Sequence, residues 1–235
     1  RPRGRALDAV RGGGRGLVGR SGTRARALPV LGVTLSTVGL FAAAAMVASL
    51  VRISHVEPGF QAERVLAVQL FRNAAPDTWT GFAQAVRDQM SAVPGVERVA
   101  VSTAAPLSNI GNLMIEMRVP GRAEPEPMQT SVRRVSSGYL DLLGIPLLSG
   151  RDIGDADRAG GEPVAVVNQA LVRQVFGGRD ALGESIALPL GRDGWVAHRI
   201  VGISGDIRNA GLQRDATPEV LVPFEQTPWV GMTFL

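Results

Sequence analysis

The chain has 235 residues, of which 25 are basic, 21 acidic and 45% apolar, and it contains no cysteine. All of the basic residues are arginine. Without lysine there is no phosphate-cradling G-x-x-x-x-G-K-[ST] loop and no lysine Schiff base, and without cysteine there is no disulfide or thiolate metal site. The net charge of +4 is unevenly placed. Residues 1–26 hold Arg1, Arg3, Arg5, Arg11, Arg15, Arg20, Arg24 and Arg26 against the single acid Asp8, so the rest of the chain is mildly acidic. With one Tyr and three Trp to offer stacking surfaces, the basic balance does not indicate a nucleic-acid partner.

Between Arg26 and Arg52 the sequence ALPVLGVTLSTVGLFAAAAMVASLV carries no charge. At about 1.5 Å per residue a helix over 27–51 is long enough to cross the ~30 Å hydrocarbon core with some tilt. The arginine excess before it places 1–26 on the cytoplasmic side as an Arg/Gly-rich linker and 52–235 outside the membrane. Ala43 and Ala45 form an A-x-A pattern, but the apolar run exceeds the about 7–15 residues of a signal-peptide core. Gly32, Ser36, Gly39 and Ala43 are spaced four, three and four apart and share one face. Small residues so arranged let a second membrane helix approach closely. The expectation is a bundle to which this helix belongs, with the chain as one piece of it.

Beyond Arg52 the predicted elements alternate. Pro58-Gly59 is a turn, 64–71 a strand, and Asp77 or Thr78 the N-cap of a helix. That helix has Trp79, Phe82, Ala83, Val86, Met90 and Val93 on one apolar face and stops at Pro94-Gly95. Strands follow at 96–102, 113–119 and 128–135, the last two joined by a Pro/Glu-rich link over 121–127. Ser136 or Ser137 is expected to cap a short helix from Tyr139 to Leu143, closed by Gly144 and Pro146. A strand at 163–167 leads to Asn168 as N-cap of a helix through Phe176, ended by Gly177-Gly178. Strands at 184–188, 196–207 and 219–223 follow. The fold class is α+β: one N-terminal transmembrane helix followed by a two-lobed mixed α/β extracytoplasmic domain, with lobe one over about 60–105 and lobe two over about 112–224.

Candidate chemistry is sparse. Gly14-Arg-Gly16-Leu-Val-Gly19 matches a dinucleotide fingerprint in letters but has no preceding apolar strand and no acid about 20 residues on, and reads as linker. Asp152, Asp155 and Asp157 lack EF-hand spacing and lie between Arg151 and Arg158, which makes a solvated loop. His55 and His198 are the only histidines, and Gly202-Ile-Ser204-Gly205-Asp206 fails the nucleophile-elbow pattern at its last position. No catalytic, cofactor-binding or metal residue is assigned, and the small-residue face Gly32, Ser36, Gly39 and Ala43 is the one candidate site.

A run of short motifs carries a family resemblance. They are Val56-Glu-Pro-Gly-Phe60, Val93-Pro-Gly-Val96, Ser102-Thr-Ala-Ala-Pro-Leu107, Val119-Pro-Gly-Arg122 and Val135-Ser-Ser-Gly-Tyr-Leu140. After them come Leu143-Gly-Ile-Pro-Leu-Leu-Ser-Gly-Arg-Asp152, Val164-Ala-Val-Val-Asn168, Phe176-Gly-Gly with Leu182-Gly183, Ile200-Val-Gly-Ile203 with Gly205-Asp-Ile-Arg208, and Pro218-Glu-Val-Leu-Val-Pro-Phe224. In this order they resemble the periplasmic core domain of MacB-type ABC transporter permeases, in particular duplicated permeases related to FtsX. The basic leader and helix resemble the junction that opens the second half of such a permease. The resemblance implies a non-enzymatic permease subunit for efflux, export or mechanotransmission, in the inner membrane with its C-terminal domain outside. It further implies a separate ABC ATP-binding subunit that holds the ATP, other membrane helices of the same permease and a periplasmic adaptor. No cofactor is expected in this chain. The alternative is a membrane-tethered extracytoplasmic binding or sensor module.

Overall fold

The computed structural model describes residues 22–61, 63–71, 79–108, 113–121, 128–191, 194–227 and 231–235. The expected cytoplasmic linker over 1–21, the caps at Asp77 and Thr78, and most of the 121–127 link lie outside these residues. The chain divides into two units, 1–55 and 56–235.

In the first unit the described residues form one helix, α1, from Gly22 to Ser54. It starts before Ala27 because Thr23 to Leu28 contains no helix breaker, and Pro29 lies inside it, where it has no N–H to offer the carbonyl one turn earlier. Residues 29–54 are apolar enough to cross a membrane. Both threonine hydroxyls within this stretch are satisfied by the helix itself: Thr34 donates to the Val30 carbonyl and Thr37 to the Val33 carbonyl, both at 2.8 Å. That suits a helix in lipid, where an unbonded hydroxyl is costly. At the end, Ser54 Oγ donates to the Val51 carbonyl at 2.9 Å and His55 Nδ1 lies 2.7 Å from the same oxygen.

The second unit is built on one ten-stranded sheet. Its strands are β1 (Val68–Phe71), β2 (Val101–Ser102), β3 (Leu113–Met117), β4 (Met128–Val135) and β5 (Leu147–Gly150). The others are β6 (Val164–Asn168), β7 (Ser185–Gly191), β8 (Gly194–Ser204), β9 (Glu219–Pro223) and β10 (Gly231–Phe234). Among the described residues three helices accompany them: α2 (Trp79–Ser91), α3 (Tyr139–Leu142) and α4 (Gln169–Phe176).

Part of this sheet closes on itself. Strands β3, β4, β9, β6, β8 and β7 pair in that order. A bridge between Arg118 and Ala187 then joins the β7 side back to the β3 side, each amide donating to the other's carbonyl at 3.0 and 2.7 Å. Alternate residues point into this ring: Met117, Val132, Val220 and Val222, Ala165 and Val167, and Ile186 and Leu188. On β8 Ile200 and Ile203 both do so because the register shifts between them, where Ala165 pairs with Ile200 and Val166 with Gly202. Leu171, Val172, Val175 and Phe176 of α4 pack into the same cluster. The period of two in these strands thus builds a barrel-like core with one helix against it.

The remaining strands extend the sheet. β10 lies antiparallel between β1 and β2, which makes β1–α2–β2 a split β-α-β unit with the C-terminal strand at its centre. α2 covers one face, with Trp79 and Ala83 buried and Phe82, Val86 and Met90 partly so against Val101, Met232 and Phe234. Val93, expected on that face, is exposed, because the helix ends at Ser91 and the turn at Gly95 (φ 91°) carries Val93 away from it. β1 is shorter than expected, since Arg64 adopts a φ of 64° and the chain becomes extended only at Val68. β2 likewise holds only two residues, although Ala100 exchanges both backbone bonds with Leu235. Neither β5 nor β10 was expected.

Two caps contrast. Asn168 caps α4 as expected, its Oδ1 accepting from Leu171 N at 3.0 Å, with Gly177 left-handed at the C-terminus. Neither serine caps α3; Gly138 (φ 79°) occupies the N-cap position. Ser136 Oγ instead accepts from the Val101 amide at 2.9 Å and so ties β2 to the end of β4.

Candidate functional site

The small-residue face sits on α1, where Gly32, Ser36, Gly39 and Ala43 follow one another along one continuous helix. A Cβ on Gly32 or Gly39 would meet nothing within 4 Å, so the face is open along these positions.

A second candidate arises from charge burial in the outer face of the ring. β4 and β9 are parallel with Ser131 beside Glu219 and Arg133 beside Leu221, so Arg133 and Glu219 project from the same face, opposite to Val132 and Val220. Both are buried, at 1% and 4% exposure. Charges this deep persist only when paired and hydrogen-bonded. Arg133 Nε donates to Glu219 Oε1 at 3.0 Å, and its Nη1 donates to the Ala104 carbonyl. Asn209 Nδ2 reaches the same Glu219 oxygen at 3.3 Å, while Asn209 Oδ1 accepts from the Leu107 amide at 3.0 Å. The Asn168 side chain closes the other end, accepting from Glu219 N at 3.0 Å and donating to the Thr217 carbonyl at 2.8 Å.

The electrostatics follow from burial. Desolvation works against the Arg133 charge, but the Glu219 carboxylate, by its charge and its hydrogen bond, outweighs that and holds the Arg133 pKa above the ordinary arginine value. Tyr139 is pushed up to about 12 by burial, so it stays neutral. Arg134, also buried, is lowered to about 10 by desolvation and still carries its proton at neutral pH. Arg133 and Glu219 are therefore a charged, hydrogen-bonded pair at neutral pH, while Arg133 Nη2 and the Tyr139 hydroxyl are buried without a hydrogen-bond partner among the described residues.

Loops converge on this network. Residues 103–108 are held by the bonds from Arg133 and Asn209, with Leu107 in the left-handed region at φ 60°. For a non-glycine residue that costs on the order of 1–3 kcal/mol and persists only where the surroundings over-determine it. The 205–211 loop carries Asn209 and, three residues earlier, Asp206. Asp206 Oδ1 accepts from Ala170 N at the start of α4 and its Oδ2 pairs with Arg173, both at 2.7 Å. A carboxylate there also meets the positive end of the helix dipole. Ile207 is buried in the second core cluster between them. On its other side the loop receives the segment that opens this unit. Arg208 N donates to the Pro58 carbonyl at 2.9 Å, and Gly59 (φ 84°) lies so close that a Cβ would stand 2.2 Å from the Asp206 carbonyl. Gln61 N donates to the Leu143 carbonyl at 2.7 Å, and Phe60 packs on the second cluster.

The other titratable candidates have local roles. Asp157 is not solvated as expected: it is 8% exposed, accepts two bonds from Arg151 at 2.7 and 2.8 Å and one from Gly154 N at 2.9 Å. The Arg151 bonds hold its carboxyl below the ordinary aspartate value. Asp152 bonds the Ile153 amide, and burial raises its pKa. Among the described residues no group of three His, Asp or Glu gathers as a metal site. His198 lies on β8 opposite Ile186, buried, with Nδ1 3.0 Å from the Val196 carbonyl, which places the proton on Nδ1. It borders a cavity of about 170 Å3 with Leu190, Pro163, Gln226 and Thr227.

Sequence reading passed over Arg133, Glu219 and Asn209. The available signal was Arg133-Arg134 inside a strand whose neighbours are apolar, since charged residues at core positions are rare unless paired.

YknZ, an ABC transporter permease of Bacillus subtilis, is 23% identical over 136 residues, which is 57% of this chain and 29% of that protein's length. The chain thus spans less than a third of that curated relative. Among solved structures, the periplasmic region of MacB from Actinobacillus actinomycetemcomitans aligns with a TM-score of 0.48 and 12% identity, over 78% of each chain. The extracellular domain of YknZ from Gram-positive bacteria aligns with a TM-score of 0.46 and 16% identity, over 72% of this chain and 83% of that one. Residues 27–233 match the MacB-like periplasmic core domain family, and the chain belongs to it.

Proposed function

We propose that this chain is part of an ABC transporter permease in which α1 crosses the inner membrane and 56–235 stands outside it. Movement driven by a separate ATP-binding subunit then reaches the outer unit through the membrane helices. The observation that carries this reading is a helix with a 26-residue apolar span, 29–54, at the start of the stretch 27–233 that matches the MacB-like periplasmic core domain family. The arginine-rich leader on the near side of that helix supports the orientation. The buried Arg133–Glu219 pair suits such a role, because its hydrogen bonds fix loops in place. In this reading the face of Gly32, Ser36, Gly39 and Ala43 packs on another helix of the same permease, and a periplasmic adaptor meets the outer unit.

The test is purification of the intact permease from membranes in mild detergent, with and without crosslinking, followed by ATP hydrolysis. Hydrolysis that is lost when a co-purified ATP-binding subunit is removed supports the proposal. A pure, inactive single species after crosslinking overturns it and favours a tethered binding module.

A further inference from the structure

We propose that the 205–211 loop is a coupling node: displacement of the 56–61 segment moves this loop, which passes the motion to α4 through Asp206 and to the 103–108 loop through Asn209. The proposal rests on the permease reading, which supplies the source of the displacement.

The input side has no slack. The 56–61 segment meets the loop backbone to backbone, through the Arg208 N to Pro58 carbonyl bond of 2.9 Å and the approach of Gly59 to the Asp206 carbonyl that leaves no room for a Cβ. A contact between rigid main-chain atoms transmits a shift that a flexible side chain would absorb. Gln61 N, bonded to the Leu143 carbonyl, and Phe60 keep the segment from sliding along the loop.

The output side has two arms. Asp206 takes both a main-chain and a side-chain partner on α4, Ala170 N and Arg173 Nη2. Through that helix the first arm reaches the barrel-like core, because Leu171 and Val175 are buried in it. Asn209 takes Leu107 N on one side and Glu219 on the other. Ile207, buried between the two polar residues, gives the loop a fixed point about which to tilt.

The receiving end of the second arm can switch. Leu107 is left-handed and is held so by the bond from its amide to Asn209, so loss of that bond lets the residue return to the ordinary backbone region. A loop with a strained and a relaxed arrangement is the two-state element that coupling between distant points requires. Arg133 and the Ala104 carbonyl anchor the start of that loop to the ion pair, which confines the change to the residues after Ala104.

The test is amide hydrogen exchange on the full chain in detergent micelles. Gly59→Ala forces the 56–61 segment off the loop. The expected result is faster exchange at three places: within 205–211, at the Ala170 amide and at the Leu107 amide. Each rises about three- to tenfold, the range for one hydrogen bond, while the Arg118 and Ala187 amides at the barrel closure stay unchanged. In an Asn209→Ala background Gly59→Ala should no longer change Leu107, yet should still change Ala170; Asp206→Ala should give the converse. If Gly59→Ala destroys protection everywhere, Phe60→Ala loosens the same segment without intrusion and takes its place. Unchanged Leu107 and Ala170 amides in a folded variant overturn the proposal, as does a response at Leu107 that survives Asn209→Ala. Exchange needs no ATP-binding subunit, so a silent node leaves the permease reading standing, and a failed hydrolysis test leaves the node measurable.

Discussion

Glu219→Ala leaves Arg133 as a buried cation with its main partner gone. Arg133 is 1% exposed, so water does not replace the carboxylate without local opening. Two bonds disappear at once, from Arg133 Nε at 3.0 Å and Asn209 Nδ2 at 3.3 Å. Removal of one member of a buried ion pair costs about 3–5 kcal/mol. At about 2–4 °C per kcal/mol for a unit of this size, Tm falls by about 6–20 °C. Glu219→Gln keeps one acceptor and should fall in between. The double variant Arg133→Met with Glu219→Leu removes both charges and should recover most of the loss, because an apolar replacement of a buried pair is often neutral or stabilising. Thermal unfolding of the full chain in detergent, followed by circular dichroism at strand wavelengths, reads all three. A single variant that melts within about 2 °C of wild type, or a double variant that falls as far as the single, refutes the assignment of a charged, buried pair.

Other perturbations test other levels of the fold. Trp79 is fully buried and meets Phe82 edge-on at 5.9 Å, so Trp79→Ala should cost about 3–5 kcal/mol in denaturant titration, and a loss below about 1 kcal/mol would falsify the packing of α2. Burial holds the His198 pKa below its ordinary 6.5, so the folded chain binds fewer protons there, and this contribution to stability is present above about pH 6.5 and lost as pH falls towards the folded value. His198→Gln should flatten the drop in Tm between about pH 7.5 and 5.5, and an unaltered slope removes His198 as its source. Gly39→Leu on the small-residue face of α1 should weaken association of the membrane helices. Crosslinked species in membranes that match wild type count against that face as a packing surface.

Local elements were legible where the signal is local. The α2 face, the Asn168 cap, the Gly177 stop and the strands β3, β4, β6, β7, β8 and β9 each follow from periodicity or from one capping residue, and all are present. The misses have a common cause. β10 has four residues and no alternation long enough to detect, and β1 pairs with it while β2 pairs with it and with β4. The barrel closure rests on Arg118 and Ala187, which nothing in their own neighbourhoods marks as partners. Ser136 resembled a cap by residue type but was recruited by Val101, 35 residues away.

The buried network was illegible for the same reason carried further. Arg133 and Glu219 are 86 residues apart, and although a charge inside an apolar strand hints at burial, nothing local names its partner until β4 and β9 pair. Yet the motifs that marked the family are the ones that meet there. Ser102 to Leu107 supplies the Ala104 carbonyl and the Leu107 amide, Pro218 to Phe224 supplies Glu219, Val135 to Leu140 supplies Tyr139, and Gly205 to Arg208 supplies Asp206. Val56 to Phe60 supplies the backbone that rests on the loop. As isolated strings they were turns and caps. Placed together, they are the positions at which main-chain groups must find specific long-range partners, and a substitution there leaves a buried polar group unmet. Asn209 stands one residue beyond its motif, yet its side chain joins Leu107 to Glu219.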